Sequence, residues 1–430
     1  MRNRRILLIT SNGFGMGHLV RQLAIADALG GDVHIMTLSQ AAPSAVAGGA
    51  VLEYCPSYTS PWLSKRAWHR GYLRDRIVAL AEEVQADVIA FDGVVPYAGL
   101  LDALTRLDVV RVWFRRGVWR ADTDPSPLLY SPMFDLIIEP GDLGAARDQG
   151  PTAVRNDAVR VGVITQAGAP KPRAEAAAAL DIDQRRLTVM FNVGSNAIPG
   201  LDTIIESIAA RGDVNVLTTK DPLGRERSGV AGRVKPITGI FPLHPYLSAV
   251  DLAVTSVGYN AAHEFVATGV PTILVPADNL TDDQRARALA MQDAGVGLVV
   301  DATQPKLLLE TIERLIDDEN ERQAMALGAR TIAEHWGNGA AQAAALLRDA
   351  TPTKRSVTSA SVRLGARLFA ERLLGLIDRR PPVAGIDFSS DLLGKTLNGA
   401  TVFEHLHPGT SDAYRHRREL IAKVWFGGSA

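Results

Sequence analysis

Residues 251–276 read DLAVTSVGYNAAHEFVATGVPTILVP, and their order decides the fold. An apolar run breaks into a turn of small residues at Ser256, Gly258 and Asn260, and a helical stretch begins at once. Gly269, Val270 and Pro271 stop that stretch, and a second apolar run follows. Strand, helix and strand built on continuous apolar runs imply a parallel sheet covered on both faces. The rhythm extends outward. GVGLVV lies downstream, LTVMFNVGSN, VNVLTT and VKPITGIF upstream. Further upstream, RILLIT, VHIMTL, DVIAFD, VVRVWF and DLIIEP alternate with helical patterns. Between the two sets, TQAGAPKPRAEAAAAL at 165–180 opens with the proline, glycine and small residues of a linker. The pattern predicts two Rossmann-like, doubly wound α/β domains facing across a cleft, over 1–164 and 173–349, with a linker at 165–172. Residues 350–430 form a C-terminal extension. Within it, 361–380 place Val362, Ala366, Phe369, Leu373 and Leu376 on one helical face among arginines. That helix is expected to pack on the two domains or, given its basic surroundings, to touch a membrane surface.

The bounds agree with a globular protein. A chain of 430 residues exceeds what one core usually supports, and a net charge of −1 gives no reason to expect nucleic acid. The single cysteine, Cys55, excludes a disulfide framework and a cysteine-built zinc site. The apolar run after the basic start MRNRR is too short for a signal peptide, and no stretch approaches a membrane span. A cytoplasmic location is expected, with peripheral contact at the inner membrane face as a further expectation from the basic extension.

The first half opens its cleft edge with SNGFGMGHLVRQLAIADAL, residues 11–29. A dinucleotide fingerprint needs G-x-G-x-x-G and an acidic residue about twenty positions on. Here Gly13, Gly15 and Gly17 are spaced G-x-G-x-G, His18 takes the third fingerprint position, and the next strand ends without a carboxylate. What remains is a backbone able to approach a ligand closely and an imidazole at a helix start. The helix dipole disfavours the protonated ring there, which suits either a general base or a plain helix-capping histidine. Asp92 ends DVIAFD and should reach the same sheet edge, where it would fix the tautomer of His18 or cap the following helix. In the second half, the helix after Gly258 offers backbone N–H groups and a dipole to a diphosphate. Glu264, about one turn in, can accept from both hydroxyls of a ribose. Asp283 and Gln284 offer acceptors and donors to a polyhydroxylated group.

Residues 239–300 resemble the nucleotide-binding half of GT-B glycosyltransferases, in particular family 28 and the related UDP-glycosyltransferases. The similarity is carried by Phe241-Pro242, Gly258-Tyr259-Asn260, Glu264, Gly269-Val270-Pro271 and Asp283-Gln284, in order and spacing. GFGMGHLVRQLAIADAL is similar to the first loop and helix of that superfamily, and NVGSNA to its diphosphate loop. The resemblance implies a GT-B fold and an inverting, metal-independent transfer of sugar from a nucleotide diphosphate, UDP above all, to an acceptor hydroxyl. The donor is then a substrate and no cofactor is called for. It implies that His18, backed by Asp92, deprotonates the acceptor. Ile240 and Phe241 would meet the base and Glu264 the ribose. Gly194, Ser195 and Asn196, with Ser256, Gly258, Tyr259 and Asn260, would hold the diphosphate, and Asp283 and Gln284 the donor sugar. Gly15, Gly17, Arg115 and Arg116 would lie on the acceptor side, where the arginines could receive an anionic group or be plain surface residues. The acceptor is open: lipid-linked, glycan or natural product.

Three features depart from the family pattern or are left unused by it. Ser256 stands where many plant-type relatives have histidine. His263 lies outside the family pattern and is expected to face solvent or the core. The last eighty residues exceed the family's usual length. Asp-x-Asp at 122–124 and 181–183 follows no clear strand, and the His405/His407 pair lacks a third ligand, so no metal is expected. Trp62, Trp113 and Trp119 suit a ligand platform or the core. Nucleotide-sugar hydrolysis, epimerisation and plain binding are the alternatives to transfer.

Overall fold

The structure is a computed structural model, and it describes residues 4–11, 16–31, 33–39, 42, 45, 49–57, 64, 67–166, 169–193, 198–219, 233–237 and 240–353. Gly15, Gly194, Ser195, Asn196, Trp62, the His405/His407 pair and the helix expected at 361–380 lie outside the described residues.

The first domain is built on β1 (Ile6–Thr10), β2 (Val33–Thr37), β3 (Val51–Tyr54), β4 (Val88–Asp92), β5 (Val110–Phe114), β6 (Leu136–Pro140) and β7 (Val159–Val161). They form a parallel sheet in the order β3-β2-β1-β4-β5-β6-β7. Helices α1 (Gly17–Leu29), α2 (Leu73–Glu83) and α3 (Ala98–Arg106) connect them. The strands β1, β4 and β5 are buried along their whole length, which is why they read as unbroken apolar runs. Strands β3 and β7 were not expected from the apolar pattern. They are the sheet's two outermost strands, short and partly exposed, and the apolar signal is weakest there.

After the linker and α4 (Arg173–Ala179), the second sheet comprises β8 (Leu187–Asn192), β9 (Val214–Thr219), β10 (Val234–Ile237), β11 (Leu252–Thr255), β12 (Thr272–Leu274) and β13 (Gly297–Val299). All its pairs are parallel, in the order β10-β9-β8-β11-β12-β13. Its helices are α5 (Leu201–Ala210), α6 (Tyr259–Thr268), α7 (Gln284–Asp293), α8 (Pro305–Asp317) and α9 (Glu319–Glu334). Each sheet reverses its winding between two central strands, β1 and β4 in the first and β8 and β11 in the second. Such switch points open a crevice at the strands' carboxyl ends, and α1 and α6 both begin there.

The last helix among the described residues, α10 (Gly339–Asp349), returns to the first domain. Ala340, Ala343, Ala344, Leu347 and Ala350 join the core formed by α1 and the inner face of the first sheet. Each leucine-sized side chain so buried contributes about 1.5–3 kcal/mol. Among the described residues the chain therefore crosses between domains twice, and the crossings touch: a Cβ on Gly162 would overlap the Trp336 carbonyl oxygen, and one on Gly339 the Gly162 carbonyl oxygen. Only glycine permits that approach.

Candidate functional site

On the first domain's side, β4 delivers Asp92 to the sheet edge and α1 presents His18 in its first turn. The Nδ1 of His18 lies 2.9 Å from Asp92 Oδ1. Asp92 is fully buried, whereas the His18 side chain is 22% exposed, so the carboxylate stands behind the ring and the ring faces the cleft. Arg21 donates to Asp92 through Nε at 2.8 Å and Nη2 at 2.5 Å, and Gln22 donates at 3.0 Å. Burial alone would raise the Asp92 carboxyl; Arg21 and His18 override it and hold it well below the usual carboxylate range. Burial also drives the His18 imidazole down against the pull of Asp92, with Arg21 and Arg116 adding to the fall. A neutral ring whose Nδ1–H donates to Asp92 keeps Nε2 as its basic nitrogen.

On the second domain's side, Gly258 is the N-cap of α6, and no side-chain hydrogen bond caps this helix. Ser256 and Gly258 lead into it from β11. Its backbone donors and dipole favour an anion. Asn260 reaches across instead: its Nδ2 donates to the Gly17 carbonyl oxygen at 2.7 Å, joining the first turns of α6 and α1. Glu264 has its carboxyl pushed up to about 7 by burial. It lines a cavity of about 810 Å³ with Gln166, His244, Ser248 and Thr268. Both ring nitrogens of His244 and the Ser248 hydroxyl are buried with no hydrogen-bond partner. Ile240 is half-buried against the cluster around Leu247, and Phe241 packs on the first domain's core. Asp283 caps α7, accepting from the Ala286 amide at 2.8 Å, and Gln284 Oε1 accepts from Ala277 at 3.0 Å. Both line a second cavity, of about 650 Å³, at the end of β12.

A polar seam joins the halves. Arg287 is fully buried, gripping Asp142 of the first domain at 2.7 and 2.8 Å and Asp282 at 2.8 Å. Arg116 meets Asp282 at 3.4 Å. The loop carrying Asp283 pairs with the loop after β5: Arg120 donates to Thr281 at 2.8 Å, and Asp283 to Val118 at 3.0 Å.

This packing corrects one expectation, that for Arg115, and fixes the side-chain direction of Tyr259 and His263. The Tyr259 side chain turns away from the start of α6, leaving only its backbone to meet a diphosphate. Its hydroxyl is buried in the seam, donating to Gly141 O at 2.9 Å and accepting from Ile164 N at 3.0 Å. Arg115 is not on the acceptor side. Its backbone continues the β5–β6 ladder, and its fully buried guanidinium holds Asp157 at 2.8 and 3.1 Å and Ser131 at 3.2 Å. His263 faces the core, one of the two places expected for it. It is buried, donates through Nδ1 to Tyr259 O at 2.5 Å and accepts from Leu143 N at 3.1 Å, and burial pushes it down to about 4. Trp113 and Trp119 are core residues whose indole N–H groups donate to Gly93 and Arg116 carbonyls. The Asp-x-Asp carboxylates at 122–124 bind Arg120 and Ser126, and those at 181–183 bind Lys235 and Arg185. Among the described residues, no group of three or more His, Cys, Asp or Glu is placed to hold a metal ion. The sequence reading missed Arg21, His244, Ser248, Asp142, Asp282 and Arg287. Only Arg21 had left a signal, its position one helical turn after His18.

Residues 225–342 match the model of the glycosyltransferase family 28 C-terminal domain. Among curated proteins, the chain is 28% identical over 160 residues to the UDP-N-acetylglucosamine–N-acetylmuramyl-(pentapeptide) pyrophosphoryl-undecaprenol N-acetylglucosamine transferase of Listeria monocytogenes, covering 34% of this chain and 44% of that protein. It is 32% identical over 157 residues to the enzyme of the same name from Salinibacter ruber, covering 34% and 42%. The chain thus spans less than half the length of these relatives. Among solved structures, it is similar to the glycosyltransferase SnogD of Streptomyces nogalater, with a TM-score of 0.53, 19% identity and coverage of 80% and 99%. Acinetobacter baumannii MurG gives a TM-score of 0.52, 15% identity and coverage of 80% and 99%. The fold is GT-B: two Rossmann-like domains, each with a parallel sheet.

Proposed function

We propose that this chain, whose second half belongs to glycosyltransferase family 28, transfers a sugar from a nucleotide diphosphate donor to an acceptor hydroxyl. The observation that carries the reading is the facing of the two switch points: an Asp92-backed His18 starts α1, the uncapped α6 starts opposite, and Asn260 ties their first turns together. His18 Nε2 takes the acceptor proton as the acceptor oxygen attacks the anomeric carbon. The bond from that carbon to the diphosphate oxygen breaks, and the electron pair leaves with the diphosphate. Backbone donors of α6 receive the developing charge, so a metal is not required. Attack opposite the leaving group inverts the anomeric centre. Glu264, which lines the cavity of about 810 Å³, takes the ribose diol, which favours UDP over a deoxyribose donor. Asp283 and Gln284 hold the sugar.

UDP-N-acetylglucosamine and a lipid-linked hydroxyl acceptor, named in the curated relatives, are the first pair to try. The basic stretch at 361–380 supports approach to a membrane-borne acceptor. The test is nucleoside diphosphate release from UDP-, GDP- and dTDP-sugars, with and without acceptor. Acceptor-dependent release of UDP is expected. Release without acceptor, with free sugar formed, would assign a hydrolase; an isomerised sugar would assign an epimerase; binding without turnover would assign a nucleotide-sugar binder.

A further inference from the structure

We propose that Arg21 is a positioning residue that locks Asp92 in a neutral carboxylate–guanidinium pair and so keeps the His18 ring unprotonated and ready to take a proton. The inference rests on His18 being the base. Positions 18 and 21 share one face of α1. Arg21 binds Asp92 side-on, with Nε on Oδ2 at 2.8 Å and Nη2 on Oδ1 at 2.5 Å. The same Oδ1 receives His18 Nδ1 at 2.9 Å, and Oδ2 also receives Gln22 at 3.0 Å. Arg21 Nη2 itself stands 3.2 Å from His18 Nδ1.

The electrostatic consequence follows from these distances. A bare buried carboxylate attracts an imidazolium strongly and would hold His18 protonated near neutral pH, where the ring cannot accept a hydroxyl proton. With Arg21 in place the pair behind the ring carries no net charge, and the nearest cation repels an added proton. Asp92 still orients the ring through its hydrogen bond. The other groups facing this cluster are Arg116, from the end of β5, and Tyr259, from α6. The Tyr259 ring centroid is 5.0 Å from the Arg21 guanidinium carbon and 5.9 Å from that of Arg116. Asp282, before α7, balances Arg116 at 3.4 Å. Tyr259 comes from the other domain, so the surroundings of Arg21 are completed only when α6 is docked on α1.

The test combines the pH dependence of kcat/KM for transfer with direct NMR titration of His18, on the full chain. In Arg21→Met, the acid limb and the His18 titration should both move up by about one pH unit or more, with activity lost at neutral pH and recovered on raising the pH. Arg21→Lys, which keeps the charge, should stay near wild type. Arg21→Gln keeps a hydrogen bond to Asp92 and serves if the methionine variant does not fold. In Asp92→Asn/Arg21→Met, a neutral pair again stands behind the ring, and the His18 titration should fall back below that of Arg21→Met. An unmoved limb and titration in the Met and Gln variants, or equal loss of activity at every pH, would overturn the role of Arg21. His18→Ala turning over at the wild-type rate would overturn the base reading instead.

Discussion

Helices α1 and α6 occupy equivalent places, each starting at the switch point of its own sheet, yet they are furnished in opposite ways. The first two turns of α1 carry side-chain chemistry: an imidazole, a guanidinium and a carboxamide, each meeting the buried Asp92 carboxylate. The first turn of α6 sends its side chains away. Tyr259 and Asn260 grip the other domain, and the helix's amide end is left without a side-chain cap. The difference suggests a division of labour, with side chains performing the proton transfer at one start and backbone receiving the anion at the other.

The comparison is broken most decisively at His18. Replacing it with alanine is expected to lower turnover by about 10²–10⁴-fold while nucleotide affinity stays within a few-fold, as kcat and calorimetry would show. A large fall in affinity would mean that α1 also binds the donor. Next comes the seam that keeps the two helix starts opposed. Arg287→Met leaves Asp142 and Asp282 buried without their shared cation, and chemical denaturation should register a loss of about 3–5 kcal/mol. A loss under 1 kcal/mol would show that water replaces the cation there.

Glu264 tests the α6 side. Glu264→Ala should weaken UDP binding by about 1–3 kcal/mol through the lost ribose contacts. Since the carboxyl is pushed up to about 7, binding that needs the carboxylate should weaken as pH falls through that value, and Glu264→Gln should flatten the dependence. The folded-state value is raised, so this group favours the fold most at low pH and loses that contribution as pH rises through about 7. Glu264→Gln should therefore raise the melting temperature at pH 8 and leave it near wild type at pH 4. The smallest expected effect is none: a chelator should leave transfer unchanged, because backbone and helix dipole carry the leaving group's charge. Loss of activity on chelation, restored by a divalent cation, would remove that account.

The central strands and the 239–300 segment were legible because local pattern and burial agree there: an apolar run such as DVIAFD stays buried in any fold that makes it a parallel strand. The dyad was legible too, since Asp92 ends a strand and His18 starts a helix, and the sheet edge unites such ends. Side-chain direction was not. Arg115 and Arg116 are neighbours in sequence, yet one enters the core and the other the seam, which strand alternation decides only once the strand's end is known. Tyr259 lies in the shared turn pattern, but its partners, Gly141 and Ile164, both come from the opposite domain. The orphaned polar atoms of His244 and Ser248 are a property of packing alone.

The contact of Gly162 with Gly339 has a mechanical consequence. Because both covalent tethers pass through one point, sliding the lobes apart would strain both at once, whereas turning them about that point strains neither. A movement that admits a donor is therefore expected to be a swivel on this pin, widest at the rim farthest from it. Alanine at either glycine should wedge the pin and change the resting angle, which small-angle scattering would detect as an altered radius of gyration.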